Sequence, residues 1–163
     1  MPFAKKPQVF GAKINELTLG TGDKATVLGG QNVFNLYTFD APIANRPKIG
    51  IDVSDDPEQP SEGLKEFYAG CETLADRAKK AAGVAEADFV CIRFDLADPN
   101  GANKSIEDCV ADAKAVAEAI DKPLVVAGCK NSEKDADLFG KISEALQGKN
   151  ILVLSAKEEN YKG

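Results

Sequence analysis

Between Arg93 and Asn103 the chain gathers one guanidinium, two carboxylates (Asp95 and Asp98) and two carboxamides (Asn100 and Asn103). Paired carboxylates at this spacing have the chemistry for acid–base work, and the carboxamides can donate to or accept from a polar ring. A plainer reading stands beside it: Asp98-Pro99-Asn100 is turn chemistry, and Asp95 is a strand-end hydrogen-bonding residue. Three other clusters follow apolar runs in the same way. They are Asp52 and Asp55; Lys130 and Asn131; and Glu158, Glu159 and Asn160. Ser132 and Asp135 are explained by helix capping alone.

What the chain lacks narrows the chemistry. It has no histidine, so Ser-His-Asp and Cys-His nucleophile activation and imidazole metal sites are excluded within it. Cys71, Cys91, Cys109 and Cys129 are about 20 residues apart with no Cys-x-x-Cys, which argues against a local zinc or iron–sulfur site. Two fall in predicted helices and two in predicted strands, as expected of buried free thiols in a reducing, cytoplasmic setting. A net charge of −6 makes nucleic acid an unfavourable partner. No apolar run approaches the roughly 18 residues of a membrane span, and the lysine-bearing N-terminus lacks the apolar stretch of a secretory signal.

The elements that position these groups follow from the apolar pattern. Residues 49–53, 88–94, 124–127 and 151–154 read as strands. Helices are expected over 64–82, from Ser105 to about residue 120, and from Ser132 to about residue 146. Gly83, Pro123 and Gly148 end the three helices. Ser105 with Asp108, and Ser132 with Asp135, read as capping boxes. Ahead of these units, residues 9–19 and 25–28 flank turn residues 20–23 as a β-hairpin, and a third short run covers 33–39.

Strands that are continuously apolar and alternate with amphipathic helices predict a parallel sheet, here of four strands and three helices. It is either an open doubly wound sheet or part of a (β/α)8 barrel. No Gly-x-Gly-x-x-Gly follows the first strand, and no P-loop lysine motif is present, which lowers a nucleotide-binding reading. A complete barrel takes roughly 250 residues, so the expectation is half a barrel. Residues 1–45 form a hairpin cap on a single domain, and 46–163 form the first half of a TIM-barrel-like fold. The last residues, 159–163, look like a helix cut short. Groups at the carboxyl ends of such strands face the ligand.

The residues also suggest a family. The run from Asn45 to Asp55 resembles the first barrel strand of the small (delta) subunit of the corrinoid iron–sulfur protein, part of the acetyl-CoA decarbonylase/synthase system. Asp95 to Asn103 is similar to its second strand and loop. Pro123 to Cys129 with Glu133 to Asp135 is similar to its third, and Ala156 to Lys162 to its fourth. The resemblance implies a TIM barrel of which this chain holds the N-terminal half, with no catalytic or metal-ligating residues of its own. It implies a heterodimer with a large subunit that carries the corrinoid (cobalamin-type) cofactor and a [4Fe–4S] cluster. Methyltransferase and acetyl-CoA synthase would be transient partners. The pathway is one-carbon metabolism, the Wood–Ljungdahl (reductive acetyl-CoA) route of carbon fixation, with methyltetrahydrofolate or a methyltetrahydropterin as methyl donor. Under it, Asp95, Asn100, Asn103, Lys130, Asn131 and Asn160 are expected at the cofactor, and Asp52, Asp55, Glu158 and Glu159 at the partner. Two alternatives stay open: a pterin-dependent methyltransferase-like barrel in which Asp95 and Asn100 hold a folate ring, and a half-barrel that self-associates into a homodimer without activity.

Overall fold

Four apolar runs pair side by side in chain order. The computed structural model describes residues 4, 6, 9, 11–32, 43–58, 61–154 and 157–158. Within them β3 (Gly50–Ser54), β4 (Phe89–Arg93), β5 (Leu124–Ala127) and β6 (Leu152–Leu154) form one parallel sheet in the order β3-β4-β5-β6. Strand order equal to chain order means that every crossover steps the same way. Right-handed crossovers therefore set all the helices on one face. That is the winding of a barrel segment, whereas a doubly wound sheet reverses direction and carries helices on both faces.

Alternation along each strand sorts the two faces. Val53, Val90, Ile92 and Val126 are at most 1% exposed and join the core with Leu74, Ala78 and Ala81 of α2 (Leu74–Ala82). Cys109, Ala113 and Val116 of α3 (Ile106–Ala119) and Leu138 and Ile142 of α4 (Ser132–Ala145) complete it. α2 packs on α3 and α3 on α4. The opposite face carries Asp52, Ser54, Cys91 and Arg93. In the register Asp52 lies across from Cys91, and Ser54 across from Arg93.

Two details depart from the sequence expectation. The helix expected over 64–82 is two helices, α1 (Glu62–Phe67) and α2, so the described residues hold four α-helices where three were expected. Between them Gly70 sits at φ +80°, a conformation that side chains resist. Thr73 and Asp76 then restart the helix with a reciprocal capping box. Cys71 therefore lies in a connection and not in a helix, and Cys129 lies just past β5 and not in a strand. At α4 the N-cap is Asn131, whose side chain accepts from Lys134 N, and not Ser132. Asp135 turns back to accept from Cys129 N at 2.8 Å. The third run, 33–39, lies outside the described residues.

The hairpin of β1 (Glu16–Leu19) and β2 (Thr26–Gly29) is antiparallel and sits beneath the amino ends of the last two strands. Gly20 N donates to Asn150 O at 2.9 Å. Asn150 Nδ2 returns bonds to Thr18 O at 2.7 Å and Gly20 O at 3.1 Å. Gly20 is at φ +74°, and a Cβ there would stand 2.9 Å from Pro123 Cγ, so this contact requires glycine. The hairpin thus closes the floor and leaves the carboxyl ends of the strands as the open mouth. Among the described residues no helix is long and apolar enough to cross a membrane.

Candidate functional site

The mouth is organised around Arg93, the last residue of β4. The strand register places it beside Ser54 and on the same face as Asp52. Its Nη1 pairs with an Asp52 carboxylate oxygen, and its Nε donates to Asp95 Oδ2 at 2.7 Å. Ser54 Oγ donates to the same Asp95 oxygen at 2.7 Å. Burial on its own raises the Asp95 carboxyl. The hydrogen bonds from Ser54 and Arg93, with the charges of Arg93 and Lys130, outweigh it and hold the group below its ordinary value. Asp95 is therefore ionised at neutral pH and accepts hydrogen bonds. A cleft of about 290 Å³ opens here, lined by these four residues with Asp56, Glu58 and Leu64.

The loop carrying Asp95 is fixed from below. Asp55 has no exposed side-chain surface. Its carboxylate accepts from Leu96 N at 3.0 Å and from Lys104 Nζ at 3.2 Å. Lys104 Nζ also reaches Asp112 Oδ2 at 2.5 Å. Burial opposes the Lys104 charge, but the two carboxylates outweigh it and raise its pKa. Buried Arg77 of α2 donates to the carbonyls of Ser54 and Asp55. Lys134 of α4 closes the other side, bonding Asn103 Oδ1 at 2.7 Å and Lys104 O at 2.8 Å.

Placed on this frame, the sequence-derived residues separate. Asp52 and Asp95 meet through Arg93. Asp95 and Asp98 do not act as a pair, because Asp98 Oδ1 is taken by Asn100 N at 2.9 Å and Asn100 Nδ2 at 3.2 Å. That is the turn reading, and it occupies the Asn100 amide. Asn103, at φ +51°, is engaged with Lys134. Asp55, read from the sequence as a partner contact, is internal and serves Leu96 and Lys104. Lys130 is exposed at φ +72°, close enough to lower the Asp95 pKa, and Asn131 caps α4. Glu158 is exposed. Glu159 and Asn160 lie outside the described residues.

Sequence reasoning gave Arg93, Ser54 and Lys104 no site role. The usable signal was parity. Once Val53 and Ile92 are matched as neighbours in the core, Asp52, Ser54 and Arg93 must share the other face. The cysteines are free thiols. Burial, reinforced by the Asp52 charge, pushes Cys91 up to about 11, which leaves it unreactive at neutral pH. Among the described residues no group of three or more His, Cys, Asp or Glu side chains could hold a metal ion.

Residues 16–163 match the family described as CO dehydrogenase/acetyl-CoA synthase delta subunit. The chain belongs to this family. Curated relatives agree with the match. The acetyl-CoA decarbonylase/synthase complex subunit delta of Archaeoglobus fulgidus is 29% identical over 94% of this chain and 36% of its own length. That of Methanothermobacter thermautotrophicus is 33% identical over 90% and 38%. Subunit delta 1 of Methanosarcina thermophila is 29% identical over 84% and 31%. The chain thus spans about a third of the length of these delta subunits. The matched region begins at β1 and includes the whole parallel sheet, so the floor hairpin and the Arg93 mouth both lie within it.

Proposed function

We propose that this chain works as a binding and scaffold segment of a delta subunit in an acetyl-CoA decarbonylase/synthase complex. Its mouth faces a corrinoid carried by a large partner subunit during methyl transfer from a methyltetrahydropterin or methyltetrahydrofolate to acetyl-CoA synthase. The observation that carries the proposal is the family match across the sheet, combined with a polar mouth built for hydrogen bonding. When bound, the corrinoid supplies the cobalt centre for methyl transfer, and a [4Fe–4S] cluster is assigned to the same partner. The residues present fit peripheral contact and not ligation. The chain has no histidine to offer cobalt, while Asp95 and Lys130 offer a fixed acceptor and a donor to the amide groups of the ring's edge. Asn103 and Asn131 extend this rim, and Asp52 and Glu158 are assigned to the partner face; Asn160 at the cofactor and Glu159 at the partner are proposed from the sequence alone.

A pterin-binding enzyme is the weaker reading, because Asn100 has its amide engaged by Asp98. Native mass spectrometry of the chain, alone and mixed with a corrinoid-carrying large subunit, tests the proposal. A one-to-one complex supports it. A homodimer that ignores the large subunit overturns it in favour of paired half-barrels, and tight folate binding by the isolated chain would favour the enzyme.

A further inference from the structure

Asp95 is held in an unequal way. Both donors that reach it, Ser54 Oγ and Arg93 Nε, bind the same oxygen, Oδ2. Among the described residues no hydrogen bond reaches Oδ1. The guanidinium cannot turn away, because Asp52 holds its Nη1 from the neighbouring strand. The carboxylate is thus fixed in rotamer and in charge, with one oxygen to spare on a cleft that also carries Asp52, Asp56 and Glu58. Four carboxylates against the cations of Arg93 and nearby Lys130 leave this side of the mouth net negative. An incoming carboxylate would meet both repulsion and an acceptor with no proton to give. A neutral primary amide meets neither obstacle, since its N–H can donate to Oδ1.

From this we infer that Arg93 is a positioning residue. By fixing the orientation of the Asp95 carboxylate it lets the mouth hold amide-bearing ligands, which the surrounding carboxylates select over their carboxylate counterparts. The inference rests on the corrinoid-facing reading above and specifies which ring-edge chemistry that mouth accepts.

The test compares two probes on the full chain: cobinamide, whose ring edge carries primary amides, and the same corrinoid with those amides hydrolysed to carboxylates. Binding is followed by absorbance titration. Cobinamide is expected to bind about tenfold or more tightly. Arg93→Ala should weaken cobinamide binding about tenfold, because Asp95 is no longer held in place, without improving binding of the hydrolysed probe, and should raise the Asp95 carboxyl pKa, read by ¹³C NMR, while Arg93→Lys restores part of both. Asp95→Asn, which keeps the shape and removes the charge, should weaken cobinamide binding too, and covers the case in which Arg93→Ala does not fold. Equal affinity for the two probes overturns the inference but leaves the corrinoid reading standing. So does a cobinamide affinity unchanged in Arg93→Ala or in Asp95→Asn. Binding of neither probe removes both.

Discussion

The two ends of the sheet are built from different interactions. The hairpin clamp at the floor is built from neutral groups, Asn150 to the carbonyls of Thr18 and Gly20, Gly20 N to Asn150 O, and Asn45 Nδ2 to Gly29 O at 2.8 Å, with Arg46 and Lys48 paired to Asp88 beside it. The mouth is joined by charges: Arg93 with Asp52 and Asp95, and Lys104 with Asp55 and Asp112. Neutral bonds hold a shape and are indifferent to the medium. Charged ones hold a shape and also create a potential, which is what a binding face needs. Function is expected at the carboxyl ends, where the charges line an open cleft, and stability at the other end, where they only join elements.

The largest test of that contrast is Lys104→Met. It leaves the buried Asp55 carboxylate without its cation and should cost about 3 kcal/mol in denaturant unfolding, with loss of order in the loop from residue 95 to 103. A loss no larger than that of an exposed pair would show that the mouth is not held by its internal charges. Next is Asn150→Gly, which removes two side-chain bonds while keeping the φ of +51° accessible. It should cost about 1 kcal/mol, equally at pH 5 and pH 8, because no charge is involved. A pH-dependent loss would break the distinction between the two ends.

Acid supplies a third test. The Asp95 carboxyl at the mouth is held low by the causes given above. Asp88 at the floor is also held low, chiefly by the bond from Ile49 N, which outweighs its burial. A carboxyl depressed in the folded state adds stability above its unfolded pKa of about 4, and that stability is lost as pH falls through the folded value. Both ends should therefore weaken below about pH 4. Arg93→Ala should raise the Asp95 titration alone and leave Asp88 where it is, as ¹³C carboxyl NMR would show. The smallest effect is expected from Lys24→Ala. Its 3.4 Å pair with Asp121 joins side chains that are 63% and 68% exposed, and unfolding should not change measurably.

The sheet was legible because each strand is a continuous apolar run, which buried parallel strands require. The broken helix was not. Leu64, Phe67, Tyr68, Cys71 and Leu74 continue an apolar stripe through the break, and that stripe outweighed Gly70 and the Thr73–Asp76 capping signal. At α4 two good capping residues stand side by side. Asn131 takes the role because Asp135, the expected box partner of Ser132, is committed to Cys129. The site was half legible. Asp95 was visible within its loop, but Arg93 acquires meaning only through Asp52, 41 residues away, and that pairing needs the register. Asp55 looked exposed because it stands in an acidic run, and nothing local shows that Lys104 will bury it.

The Asn150 clamp also has a consequence in time. Neighbouring strands of the sheet are separated by only one helical crossover, whereas the clamp joins residues 130 and 132 positions apart. Bringing such distant segments together carries the higher chain-closure cost, and their contacts repay it only once the intervening sheet stands. The hairpin should therefore dock last during folding. In stopped-flow experiments Asn150→Gly is expected to speed unfolding and leave the refolding rate nearly unchanged. The nascent sheet would then spend part of its folding time open at both ends, and the last event in its history would be the closing of the end that does no chemistry.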